Sequence, residues 1–245
     1  MQEISWQSLA WCALPVLIVS AIYLRWQGNP AKILLSGARM VLQLTAVGYV
    51  LVALFSNPSP WLTLLVMAIM ISAASWIAIG SVGHQRAFLL PVFSALLISV
   101  AFHLFLSVKI VLSVEHWYDP RLMIPLAGMY FSNTMNALSL AAERYHSELQ
   151  DAKPAKEARI TAFHAAMIPQ MNAMLAVGLV SLPGMMTGQI LSGISPLIAV
   201  RYQIMIMTMM LGASGLGVVL MLWQLGRHHI AEHVTSTTGS KPSSH

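Results

Sequence analysis

Asn133 and Asn136, in GMYFSNTMNALSLAAERY, are carboxamides set in an apolar run. A polar side chain in such a run faces another helix or a wet cavity rather than lipid. Ser132, Asn136, Ser139 and Glu143 follow one another at spacings of four, three and four, so they share one helical face, which Asn133 flanks. Hydrogen bonding between helices, about 0.5–1 kcal/mol for each amide, is one use for such groups. The chemical use is a path that hands a cation or polar solute from one amide oxygen to the next. Gln43, one turn beyond Arg39 in RMVLQLTAVGY, adds a further amide, as do Gln170, Asn172, Gln189 and Gln203.

Methionine contributes 17 residues. The thioethers of Met185 and Met186 could coordinate a soft cation, although methionine more often fills irregular packing. His103, with Glu115, His116 and Asp119, offers at most a weak metal-release site, because ligand spacing is lacking. His229 and His233, four apart in the tail, could chelate if helical. No resident metal site can be assigned. No nucleophile–base pair, buried carboxylate pair or GxxxxGK[ST] phosphate loop occurs, so neither an enzyme nor an ATP-binding chain is expected. Work done against a gradient would draw its energy from another subunit.

These groups need helices to position them, and residues 178–196, GLVSLPGMMTGQILSGISP, show that one helix is interrupted. Two prolines, four glycines, four hydroxyl residues and Gln189 lie within apolar sequence. Pro183 removes a donor and clashes with the preceding turn, so a helix should stop or kink there. Irregular backbone at membrane depth is tolerated only inside protein or beside a wet cavity. Gly184, Gly188 and Ser192 recur every four residues, a stripe suited to close helix packing. Met185, Met186, Thr187 and Gln189 lie in the same block and are candidate path residues.

Composition sets the surroundings. Only 9% of the 245 residues are charged and 57% are hydrophobic, against about 25% charged in soluble domains. Apolar windows of about 20 residues leave room for about seven spans. The expected architecture is all-α and polytopic, a permease domain over 1–226 followed by a polar, disordered tail over 227–245. Lys and Arg divide ten against three between alternate sides. By the positive-inside rule the N-terminus lies outside and the C-terminus in the cytoplasm. The basic residues stand singly between apolar runs, a topology signal and no footprint for nucleic acid; membrane lipid is the expected surrounding. Segment 143–164 is the one long hydrophilic connection, and Pro154 is expected to split it into two short helices. Ala158, Thr161, Ala162, Ala165 and Ala166 mark its small-residue face. Glu148, Lys156, Glu157 and Arg159 are candidate contacts for an ATPase pushing on it.

LVSLPGMMTGQILSGISP followed by AVRYQIMIM, together with GMYFSNTMNALSL and RMVLQLTAVGY, resembles the FetB family. Members of that family are bacterial ABC-transporter permeases implicated in iron export, with plant relatives tied to aluminium tolerance. The likeness covers roughly 33–225. The resemblance implies a separate FetA-type ATPase that uses the ATP, two permeases with two ATPases in the complex, an inner-membrane location and relief of oxidative stress. Residues carried over by match are Arg39, Gln43, Asn133, Asn136 and Pro183 through Gln189. The stretch HSELQDAKPAKEARITAF departs from the family by lacking a glycine in its EAA-like coupling segment. Two other classes stay open: a secondary transporter driven by an ion gradient, and a membrane scaffold that moves nothing.

Overall fold

The computed structural model describes residues 5–56 and 58–239, in two compact units divided at residue 57. The regular elements among the described residues are helices, with one isolated bridge between Val177 and Ser181. The all-α membrane architecture read from composition is the observed one.

The first unit holds α1 (Trp6–Ala10), α2 (Ala13–Arg25) and α3 (Pro30–Ser56). Ser5 caps α1 by accepting from the Ser8 amide at 3.1 Å, and the Asn29 side chain accepts from Ala31 N–H at 3.0 Å as α3 begins. Only 6% of the most apolar window of either long helix is buried, so their leucine, isoleucine and valine surfaces are left for lipid. Gln43 lies exposed on α3.

The second unit holds α4 (Pro60–Ala78), α5 (Arg86–Phe105), α6 (Pro120–Gln150), α7 (Ala155–Ala176), α8 (Gly184–Leu191) and α9 (Pro196–Gly239). Pro30, Pro60, Pro120 and Pro196 each open their helix, where the missing N–H is no loss and φ is already helical. Asp119 Oδ1 caps α6 by accepting from the Arg121 amide at 2.9 Å. A 3-10 turn (Ile79–Val82) closes α4 at Gly83, whose φ of +67 is the left-handed stop that glycine adopts freely. A π-helical turn (Leu106–Val111) ends α5.

Side chains from α6 and α9 dominate the core. Tyr130, Leu138 and Tyr145 of α6 and Ile206 and Met221 of α9 are at most 1% exposed. α5 runs antiparallel to α9, with His103 beside Gly212, Ser99 beside Gly217 and Ser94 bonded to Gln224. α7 does the same from the other side, with Met167 beside Gly215 and Arg159 beside Gly226. Ala158, Ala162 and Ala166 are wholly buried, the small-residue face read from sequence. Hydroxyls inside the apolar helices turn back onto carbonyls four residues earlier, as Ser75 does to Ile71 at 2.8 Å.

Among the described residues five helical stretches are long and apolar enough to cross a membrane: Gln7–Arg25, Pro30–Ser56, Pro60–Val82, Arg86–Val111 and Pro196–Arg227. The segments expected as spans five and six are α6 and α7, whose polar residues lower their hydropathy. The backbone of α9 continues as helix to Gly239, through most of the segment expected as a tail; the side chains beyond 227, His229 and His233 among them, and residues 240–245 lie outside the described residues.

One expectation needs correcting. Segment 143–164 is not a pair of short surface helices. α6 continues to Gln150, Pro154 caps α7, and α7 then runs unbroken to Ala176. The alanine periodicity on its buried face carries the helix straight into the sixth apolar run.

Candidate functional site

The polar interior of the second unit centres on Asn133. Its Nδ2 donates to Gln170 Oε1 of α7 at 2.7 Å and to Ser214 Oγ of α9 at 3.0 Å. Three helices are thus tied at one carboxamide. Gln170 is 8% exposed and Ser214 is fully buried. Interhelical bonds of this kind contribute about 0.6–2 kcal/mol each in a bilayer.

A second polar step lies on α5. His103 Nδ1 donates to the Ser99 carbonyl at 2.7 Å, which leaves Nε2 as the acceptor, pointed at Gly212. Ser107 Oγ donates to the His103 carbonyl at 2.7 Å and meets the Tyr130 hydroxyl at 2.7 Å. Glycine is required on α9 at these contacts. A Cβ at Gly212 would overlap the His103 ring, and one at Gly217 would lie 3.0 Å from both Ser99 Oγ and Thr134 Cγ2.

The α6 stripe is turned the other way from Asn133. Ser132, Asn136 and Glu143 are exposed and Ser139 is half-buried, while Tyr130, Thr134, Leu138 and Tyr145 point inward. The flanking amide is therefore the interior one, and the stripe proper forms a polar strip on the outer surface of the unit.

The Pro183 break is present: α7 stops at Ala176, a turn closed by Gly178 N–H to the Ser181 carbonyl at 3.0 Å follows, and α8 starts at Gly184. Thr187 Oγ1 donates to the Pro183 carbonyl at 3.1 Å. Met186 is buried and Met185 packs, partly buried, against the core. Gln189 Oε1 is buried with no hydrogen-bond partner among the described residues. The close packing expected at Gly184, Gly188 and Ser192 is not found among the described residues. Nothing lies within 4 Å of a Cβ built on either glycine, and Ser192 is exposed. Tight glycine contacts fall instead on α9, in LGASGLG, where the run of small residues in an apolar helix was the signal available in the sequence.

Glu148, one of the candidate ATPase contacts, is 2% exposed. Its carboxylate receives Arg144 at 2.5 Å and Lys153 at 2.6 Å, locking the corner between α6 and α7. The Lys153 bond and then the Arg144 charge hold its carboxyl below the ordinary value of 4.5 against the opposing effect of burial. A depressed folded-state pKa adds stability that is present above the unfolded value and lost as pH falls through the folded one. Protection of the amides across 148–155, measured relative to the intrinsic exchange rate at each pH, should therefore hold at neutral pH and fall as the pH drops below the ordinary carboxyl value of 4.5. Glu148→Gln should make exchange fast at neutral pH and remove that acid dependence; slow exchange in the variant would show that the corner does not need the ion pairs. Lys156 and Glu157 are exposed, and Arg159 is half-buried against Gly226.

His103 does not join Glu115 or His116, which lie exposed on the loop before α6. Among the described residues no three His, Cys, Asp or Glu side chains are grouped to hold a metal ion. What the interior offers a solute is amide, hydroxyl and imidazole.

The family described as "Uncharacterised protein family (UPF0014)" matches residues 6–230. The "UPF0014 membrane protein slr1647" of Synechocystis is 36% identical, covering 94% of this chain and 96% of its own. The "Probable iron export permease protein FetB" of Escherichia coli is 35% identical over 84% and 85%. "Protein ALUMINUM SENSITIVE 3" of Arabidopsis thaliana is 28% identical over 81% and 78%. No solved structure matches. With nearly its whole length matched, and with helices that span a membrane several times, the chain belongs to the UPF0014 family of membrane proteins.

Proposed function

We propose that the chain is the translocating subunit of an ATP-driven exporter in a bacterial inner membrane, moving iron or a related metal ion out of the cytoplasm. The observation that carries this reading is the exposed strip of Ser132, Asn136 and Glu143 on a helix otherwise embedded among apolar neighbours. Polar groups at membrane depth face protein or water, so the strip calls for a second protomer or a wet path, and a dimer with the path between its halves supplies both. The relative named for iron export supports the cargo class.

In this reading two copies join two ATPase subunits, and ATP is bound and hydrolysed only by the latter. The ATPase bears on the Asp151–Pro154 corner, braced by Glu148, with Glu157 exposed beside it. Displacement there rocks α6 and α7 and alternates access to the strip. Weak amide and hydroxyl ligands suit a cargo that must leave as readily as it binds.

The test is ATP turnover by this protein with its candidate ATPase in lipid vesicles, with and without ferrous iron. Iron should stimulate turnover, and Ser132→Ala/Asn136→Ala should remove the stimulation while basal hydrolysis persists. An ATPase that binds but ignores iron would keep the exporter and discard the cargo. Iron movement in vesicles lacking any ATPase would favour a gradient-driven transporter, and no movement under either condition would leave a scaffold.

A further inference from the structure

We propose that α7 and α9 form a binding site for an anionic phospholipid, a role separate from transport and independent of the reading above. A groove of about 420 Å³ runs between the first turns of α7 and the last apolar turns of α9. Its walls include Ile160 and Phe163 on one side and Val219, Leu222 and Trp223 on the other. Ile160, Val219 and Trp223 are each about half exposed, so the groove opens sideways, where acyl chains lie.

One end of the groove is cationic. Lys156 and Arg159 line it, and the Arg227 guanidinium lies 3.9 Å above the Trp223 ring. Gly226 makes the placement of Arg159 possible, because a Cβ there would sit 2.7 Å from its Nη1. Arg159 Nε also donates to the Ala155 carbonyl at 3.3 Å, which fixes the side chain along the helix. Among the described residues no carboxylate ion pair involves Lys156, Arg159 or Arg227. Glu157, the nearest acid in sequence, is not part of the lining.

Three cations with no carboxylate paired to them among the described residues, at the mouth of a lateral apolar groove, fit a phosphate that carries two hydrocarbon tails. Basic pockets between membrane helices recognise anionic headgroups in this way. The positive-inside count puts this end at the cytoplasmic leaflet. A second groove supplies an internal comparison. About 310 Å³ in volume and walled by Met67, Leu104, Phe105 and Trp117, it has Lys109 as its single cation. Apolar lining is common to both, and the cluster of positive charge is confined to one.

The full-length protein is purified in detergent and titrated by native mass spectrometry with phosphatidylglycerol and phosphatidylcholine. Phosphatidylglycerol should bind about tenfold more tightly or better. Lys156→Glu/Arg227→Glu, both at exposed positions, should abolish that preference, and Lys109→Glu should leave it in place. Brominated phosphatidylglycerol should quench a tryptophan component that Trp223→Phe removes, a readout in a protein with every charge intact. Equal binding of the two lipids, an unchanged preference in the double variant, or quenching indifferent to Trp223 would each overturn the proposal. If the double variant keeps its lipid and loses its ATPase instead, the cationic mouth is a protein interface.

Discussion

Gly212→Leu should leave little folded protein, with a destabilisation of about 3 kcal/mol or more, because extra methylenes in a packed interior force neighbours off their rotamers and shift backbone. The first added carbon already overlaps the His103 ring, which is 7% exposed and held by the Ser99 carbonyl at 2.7 Å. The ring cannot swing away without breaking that bond, and α5 cannot retreat without opening the Ser99–Gly217 contact. Gly188→Leu should behave in the opposite way, since nothing lies within 4 Å of a Cβ at Gly188. Thermal unfolding monitored by size-exclusion chromatography separates the two. Equal stability of both variants would refute the assignment of close packing to α9. If Gly188→Leu folds normally yet exports nothing, the stripe on α8 works against a surface outside this protomer.

Export should be lost in Asn136→Leu with the fold intact, and both should suffer in Asn133→Leu. The difference follows from where each amide points. Asn133 satisfies Gln170 and Ser214, so replacing it leaves buried polar groups without their donor, at about 1–3 kcal/mol. Asn136 is exposed on the unit, and a surface substitution usually changes stability by no more than about 0.5 kcal/mol. A leucine there would nonetheless remove the central polar group of the strip. Metal efflux from cells and the unfolding midpoint of the purified variants give the two readouts. Wild-type export by Asn136→Leu would sink the proposal that the strip lines the path.

The sequence carried the break at Pro183 because a missing N–H has a local consequence that no distant contact can repair. Rotation of α6 was less legible. Periodicity placed Ser132, Asn136 and Ser139 on one face, but which face α7 and α9 cover depends on partners far away in the chain. The glycines invited a similar error. Gly184 and Gly188 lie in the more unusual motif, whereas Gly212 and Gly217 are the ones pressed by side chains of α5 and α6. Spacing announces that a close approach is possible and not where the approaching helix is. Glu148 was legible only as an acid in a hydrophilic segment, because nothing local reveals that Arg144 and Lys153 close over it.

The unbroken course of α7 has a mechanical meaning. Its 22 residues make a strut of about 33 Å, clamped at one end by the Glu148 ion pairs and released at the other into the loop before α8. A loaded strut deforms where it is softest. Hydrogen bonds along the helix stiffen it except at Pro169, where a rung of the ladder is missing, so compliance is concentrated at that proline and at 177–183. If the corner is pushed as proposed, the force is delivered at the far end, to the turn that precedes α8. Lever length and hinge position, more than any change in local contacts, fix how far Gln189 travels for a given push.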